Sequence, residues 1–143
     1  MHPAKIIDEI STYKSEIKLT KDGLILTNHE NVPVEFVEII QEYKPRLLDF
    51  LEGTYTKKHY ATDQTIYKAI LHWCGKEHNH HIDLWMNDVP EVCDLLYDLT
   101  AELAQNGWKD INEMYFCYET DRAKELSIQI YDSAIAFRNR GAR

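Results

Sequence analysis

Glu16-Ile17-Lys18-Leu19-Thr20-Lys21-Asp22-Gly23-Leu24-Ile25-Leu26-Thr27-Asn28 is the stretch whose reading decides the fold of the first part of this chain. Apolar and polar residues alternate up to Thr20, and a second apolar run follows Gly23. Asp-Gly between two such runs signals a hairpin, because the tight turn needs a positive φ that glycine adopts freely. Strands are expected near residues 16–20 and 23–28. Upstream, Pro3 suits a first helical turn, and Ile6, Ile7, Ile10 and Tyr13 recur at helical spacing. Downstream, Asn31-Val32-Pro33 opens a second helix whose buried stripe is Phe36, Val37, Ile39, Ile40 and Tyr43. Pro45 disfavours helical geometry at Lys44, so that helix should break there. A last short helix carries Leu47, Leu48, Phe50 and Leu51, and Gly53 ends it. The order is helix, β-hairpin, helix, helix.

This N-terminal stretch, residues 3–53, resembles the TubC N-terminal (β-hairpin) docking domain family. Ile6, Ile7 and Ile10 carry the resemblance, with Ile17-Lys18-Leu19, Asp22-Gly23-Leu24, and Pro33 with Phe36, Ile39 and Ile40. The closing run Tyr43-Lys44-Pro45-Arg46-Leu47-Leu48-Asp49-Phe50-Leu51 is the most specific piece. The resemblance implies an exposed strand edge to which a short partner peptide adds by β-augmentation, with basic groups meeting acids in the peptide. Carried onto this chain, it assigns Lys18 and Lys21 to charge. Leu24, Ile25, Leu26, Thr27 and Asn28 become the pairing strand. The chain departs from the family in having no Lys or Arg at 24–28, which keeps a homodimer through the same edge open beside a protein partner.

Beyond Gly53 the composition changes. Residues 54–62 are polar and breaker-rich and are expected to be a linker between a 1–53 module and a 63–143 helical domain, with Thr62 or Asp63 capping the next helix. That helix holds Ile66, Tyr67, Ile70 and Leu71. Gly75 to His81 is a polar loop, and residues 82–89 suit either an extended segment or a short helical turn. Pro90 opens an amphipathic helix through Val92, Leu95, Leu96, Leu99 and Leu103 that ends at Asn106-Gly107. Trp108, Ile111, Met114, Tyr115 and Phe116 supply further core. Ala123, Leu126, Ile130, Ala134 and Phe137 fit a final helix, although Leu126, Ile128 and Ile130 also alternate. The expected class is α+β: a small helix–hairpin–helix–helix module, then a mostly α-helical C-terminal half.

Two side-chain constellations stand out. Glu91, Asp94, Asp98 and Glu102 fall at intervals of three, four and four, so they share one helix face; from Asp83 to Glu102 there are six acids and no Lys or Arg. A solvated polar face explains this, and so does a row of charges that occupies a basic nucleic-acid-binding groove. His72, Cys74, His78, His80 and His81 crowd a second stretch. They are metal-ligand types, but their spacing matches no usual zinc pattern. Trp73, Trp85 and Trp108 are read as core anchors.

Bulk properties narrow the function. The chain has 143 residues and a net charge of −8 with His neutral, which disfavours direct contact with nucleic acid. Three cysteines without a CxxC pair argue against a disulfide framework and for a reducing, cytoplasmic setting. No signal peptide, lipidation motif or membrane span is expected. There is no GxSxG, P-loop, GxGxxG or HExxH, so neither an enzyme nor a cofactor is expected. The expected function is a non-enzymatic protein–protein docking factor, of a kind found on bacterial mobile elements. One alternative is an anti-CRISPR-type inhibitor, its acidic helix filling a basic groove of a nucleic-acid-binding complex. Another is a small metal-binding domain using the His72–His81 cluster.

Overall fold

The structure, a computed structural model, describes residues 1–141. Its regular elements are α1 (Pro3–Ser11), β1 (Ile17–Thr20), β2 (Gly23–Leu26), α2 (Val34–Glu42), α3 (Lys44–Leu51), α4 (Lys57–Trp73), α5 (His80–Asp88), α6 (Glu91–Gln105) and α7 (Asp121–Gly141). This is an α+β chain with one antiparallel hairpin and a helical C-terminal half. It divides into two compact units. The first comprises Met1–Lys57 with Asp110–Cys117; the second comprises Lys58–Lys109 and the chain from Tyr118 on.

The first unit follows the expected order of helix, hairpin, helix, helix. Lys21 and Asp22 form the turn, and Gly23 has φ of +113°, which a side chain would strain. The strands are shorter than the expected 16–20 and 23–28, because at the hairpin root the Glu16 N–H donates to Thr27 Oγ1 and Asn28 turns left-handed. Ile6, Ile10, Phe36, Ile40, Tyr43 and Leu47 form the core. α2 stops at Glu42, and Pro45 sits in the first turn of α3, where its missing N–H costs nothing. Segment Asp110–Cys117 completes this core. Phe116 meets Tyr43 edge-on at 5.2 Å, and the buried Arg46 guanidinium lies 4.2 Å over the Phe116 ring.

In the second unit α6 packs against α7 and α5. Val92, Leu96, Leu99 and Leu103 are fully buried, as are Ala123 and Ile130 of α7. Each such leucine contributes about 2 kcal/mol through burial. Trp85 is buried and its Nε1 donates to Ser133 Oγ at 3.2 Å. Trp108 is buried too, whereas Trp73 is half-buried. Leu95 lies at the margin of the α6 stripe and is half-exposed.

Two boundaries differ from expectation. The 54–62 linker is helical from Lys57, so neither Thr62 nor Asp63 caps a helix; Asp63 is buried inside α4. Residues 57–62 contain no Gly or Pro, and polar residues extend a helix as an exposed turn at little cost. The second concerns segment 110–117, expected within the 63–143 domain, which groups with the N-terminal unit. The open choice at 82–89 resolves to helix: α5 begins after Asn79, whose Oδ1 accepts from the Ile82 N–H at 3.1 Å. The last segment is one long helix.

Candidate docking edge

Register defines what the hairpin offers. Ile17 faces Leu26, Lys18 faces Ile25, Leu19 faces Leu24 and Thr20 faces Gly23. The Thr27 N–H donates to the Glu16 carbonyl at 2.9 Å, so 16/27 is a hydrogen-bonded pair. Antiparallel pairs alternate, so 18/25 and 20/23 also bond across the hairpin. At 17/26 and 19/24 the backbone groups point away from the partner strand. Leu24 and Leu26 therefore turn their N–H and C=O groups to the outer edge of β2.

That edge runs beside an apolar groove of about 230 Å³ lined by Ile17, Leu24, Ile25, Leu26, Val37, Ile40, Gln41 and Lys44. By register Ile17, Leu24 and Leu26 share one face of the hairpin, so the groove is bounded by that face and by α2 and α3, with Ile25 at its margin. No apolar residue of the hairpin is fully buried, and Leu19 and Ile25 remain 44% and 48% exposed. Surface of this kind is either protected or used.

The root of the hairpin is fastened. Lys14 and Asn28 both adopt left-handed geometry, with φ of 59° and 50°. Asn28 Nδ2 donates to the Lys14 carbonyl at 3.1 Å, Ser15 Oγ donates to the Asn28 carbonyl at 3.0 Å, and the Glu16 N–H donates to Thr27 Oγ1 at 3.0 Å. Thr27 and Asn28 are therefore not part of the pairing strand. They close the hairpin, and the stretch with an edge to offer is Gly23–Leu26. Lys18 is exposed and lies 3.5 Å from Glu16, a contact of little energetic weight at the surface. Lys21 is exposed at the turn. Sequence reading missed Val37, Gln41 and Lys44 as lining residues. Their spacing of three and four along α2 and into α3 was the signal.

The acidic face of α6 is narrower than its spacing suggested. Glu91, Asp94 and Asp98 are exposed, but Glu102 is half-buried and accepts from Thr120 Oγ1 at 3.0 Å. Asp88 pairs with Arg140 at 3.2 Å, and Asp83 lies 3.5 Å from His72. Three carboxylates remain of the four-residue row.

The histidines do not converge either. His72 Nδ1 accepts from the Asn79 N–H at 3.0 Å and Nε2 faces Asp83, so both ring nitrogens are engaged within the fold. His78 packs against the His72 ring at 5.0 Å, and His80 against His81 at 6.0 Å. Among the described residues no three His, Cys, Asp or Glu side chains are grouped to hold a metal ion. The metal reading of His72, Cys74, His78, His80 and His81 thus loses its geometry. Burial pushes the Cys74 thiol up from its ordinary pKa, and burial and then Glu113 do the same for Cys117. Among the described residues no helix is long and apolar enough to cross a membrane. No family model, curated protein or solved structure matches the chain.

Proposed function

We propose that this chain is a non-enzymatic docking factor whose first unit takes an extended stretch of a partner protein as a third strand along β2. The observation that carries the reading is the apolar groove beside the outward backbone groups of Leu24 and Leu26. Backbone pairing would supply affinity, and apolar side chains entering between Leu24, Leu26 and Val37 would supply selectivity. The resemblance of residues 3–53 to TubC N-terminal docking domains supports the same use of the hairpin and brings with it a bacterial assembly-line or mobile-element setting. The free thiols suit a reducing, cytoplasmic compartment. The acidic-helix reading is the weaker one, because Glu102, Asp88 and Asp83 have internal partners.

The test compares captured proteins on wild type, Leu26→Pro, Val37→Glu and the triple reversal Glu91→Lys, Asp94→Lys, Asp98→Lys, each checked for helicity. Leu26 lies at a non-hydrogen-bonded pair, so proline there removes an outward donor and leaves the hairpin's own ladder intact. A partner held by wild type should fall at least about tenfold in affinity with Leu26→Pro, which is about 1.4 kcal/mol. Retention that ignores Leu26→Pro and Val37→Glu but fails in the charge reversal would replace this reading with the acidic one. Self-association lost in the same two variants would identify a second copy as the occupant.

A further inference from the structure

A two-stranded sheet has two edges, and here they are guarded differently. β1 carries Lys18 between its outward residues Ile17 and Leu19. On β2 the outward residues are Leu24 and Leu26, and Gly23-Leu24-Ile25-Leu26-Thr27 holds no charged residue. Ile25, between them, is 48% exposed. Lysine on an edge repels a second edge, whereas an uncharged strand meets no like charge in its own copy.

We propose that, before a partner arrives, the β2 edge is covered by β2 of a second copy, running antiparallel with the two-fold axis at Ile25. This pairing rests on the docking reading of the same edge and supplies its occupant at rest. The register follows from which residues face outward. Hydrogen-bonded pairs across a new antiparallel interface join outward residues of both strands. With the axis at Ile25, Leu24 meets Leu26 of the second copy and Leu26 meets its Leu24, which closes four backbone hydrogen bonds. An axis at Leu24 would pair Leu26 with Asp22 in the turn, and one at Leu26 would pair Leu24 with the left-handed Asn28. Only the Ile25 axis keeps both outward pairs inside the strands. The side chains agree with it. The two Ile25 residues form a non-hydrogen-bonded pair with Cβ atoms about 4.5–5.5 Å apart, so each covers the other. The Leu24–Leu26 pairs extend the apolar face that bounds the groove. Charge does not oppose the contact. The next pair outward joins Gly23 to Thr27, and Lys18 lies three strand spacings, about 14 Å, from its copy, beyond a Debye length of about 8 Å. A partner strand displaces this copy, so self-pairing sets a threshold for docking.

Sedimentation of the full chain from about 10 μM to about 1 mM tests this, since an interface this small holds weakly. Wild type should pass from monomer to dimer within that range. Leu26→Pro removes a donor from the new ladder and should raise the dissociation constant at least about tenfold. Ile25→Lys and Ile25→Glu, each checked for helicity, should each be monomeric alone, because like charges then face each other at the axis. An equimolar mixture of the two should dimerise, because opposite charges then meet there. Wild type that stays monomeric at every concentration overturns the pairing; the docking reading then stands or falls separately, on whether Leu26→Pro loses a captured partner. A dimer that ignores Leu26→Pro, or persists in either Ile25 variant alone, overturns the pairing as well. So does a mixture of the Ile25 variants that stays monomeric.

Discussion

Lys14 and Asn28 show what the residue scale hides from a sequence. Each takes a left-handed conformation that residues other than glycine seldom adopt, and Asn is among the few that tolerate it. Their cross-link lies 14 positions apart along the chain, so no local pattern announces it. Gly23, by contrast, was legible because Asp-Gly states its own geometry. Gly23→Ala should cost about 1–3 kcal/mol through backbone strain alone, since open space surrounds the position. Chemical denaturation of the hairpin unit would measure that loss. Ser127 presents the opposite case. It is buried on α7 and its hydroxyl has no hydrogen-bond partner. Ser127→Ala should therefore leave stability unchanged or raise it by about 1 kcal/mol, read as a shifted denaturation midpoint. A loss above that size would mean the hydroxyl is satisfied after all.

At the scale of elements, periodicity located α2, α6 and the hairpin, and proline located the break between α2 and α3. It failed at the beginning of α4, where an exposed polar turn carries no apolar stripe to read. It also left α5 open, although Asn79 three residues before Ile82 was a cap signal in plain view. The start of α7 depends on Thr120, whose Oγ1 accepts from the Ala123 N–H at 3.1 Å and donates to Glu102 at 3.0 Å. One hydroxyl therefore caps one helix and fastens another. Thr120→Ala should cost about 1–2 kcal/mol, while Thr120→Ser should recover most of it; thermal unfolding of both variants distinguishes this from a packing effect. The same bond explains why an acidic stripe counted from spacing alone was one residue too long.

For the whole molecule, the class was legible and the return of Asp110–Cys117 to the first unit was not. Trp108 through Phe116 reads as apolar core in either half, and only contacts distant along the chain assign Tyr115 and Phe116 to the first unit. The candidate edge was partly legible. The sequence pointed to β2 but gave no view of Val37 and Lys44 beside it, because a groove between a strand and a helix is a property of packing. Phe116→Ala should remove about 3–5 kcal/mol from the first unit by leaving Tyr43 and Arg46 beside a cavity. Its effect should appear in the exchange of α2 and α3 amides, with α6 and α7 amides changed less.

The path of the chain also imposes an order of birth. A first unit made only of residues 1–57 could finish folding while the rest was still being synthesised, as N-terminal domains commonly do. Here the pieces that close it, Tyr115 and Phe116, are translated after α6. Until they emerge, the nascent hairpin unit carries an unfilled site at Tyr43 and Arg46. A ribosome-bound chain stalled before residue 110 should thus be cut by protease within residues 1–57, and one stalled well beyond residue 117 should resist.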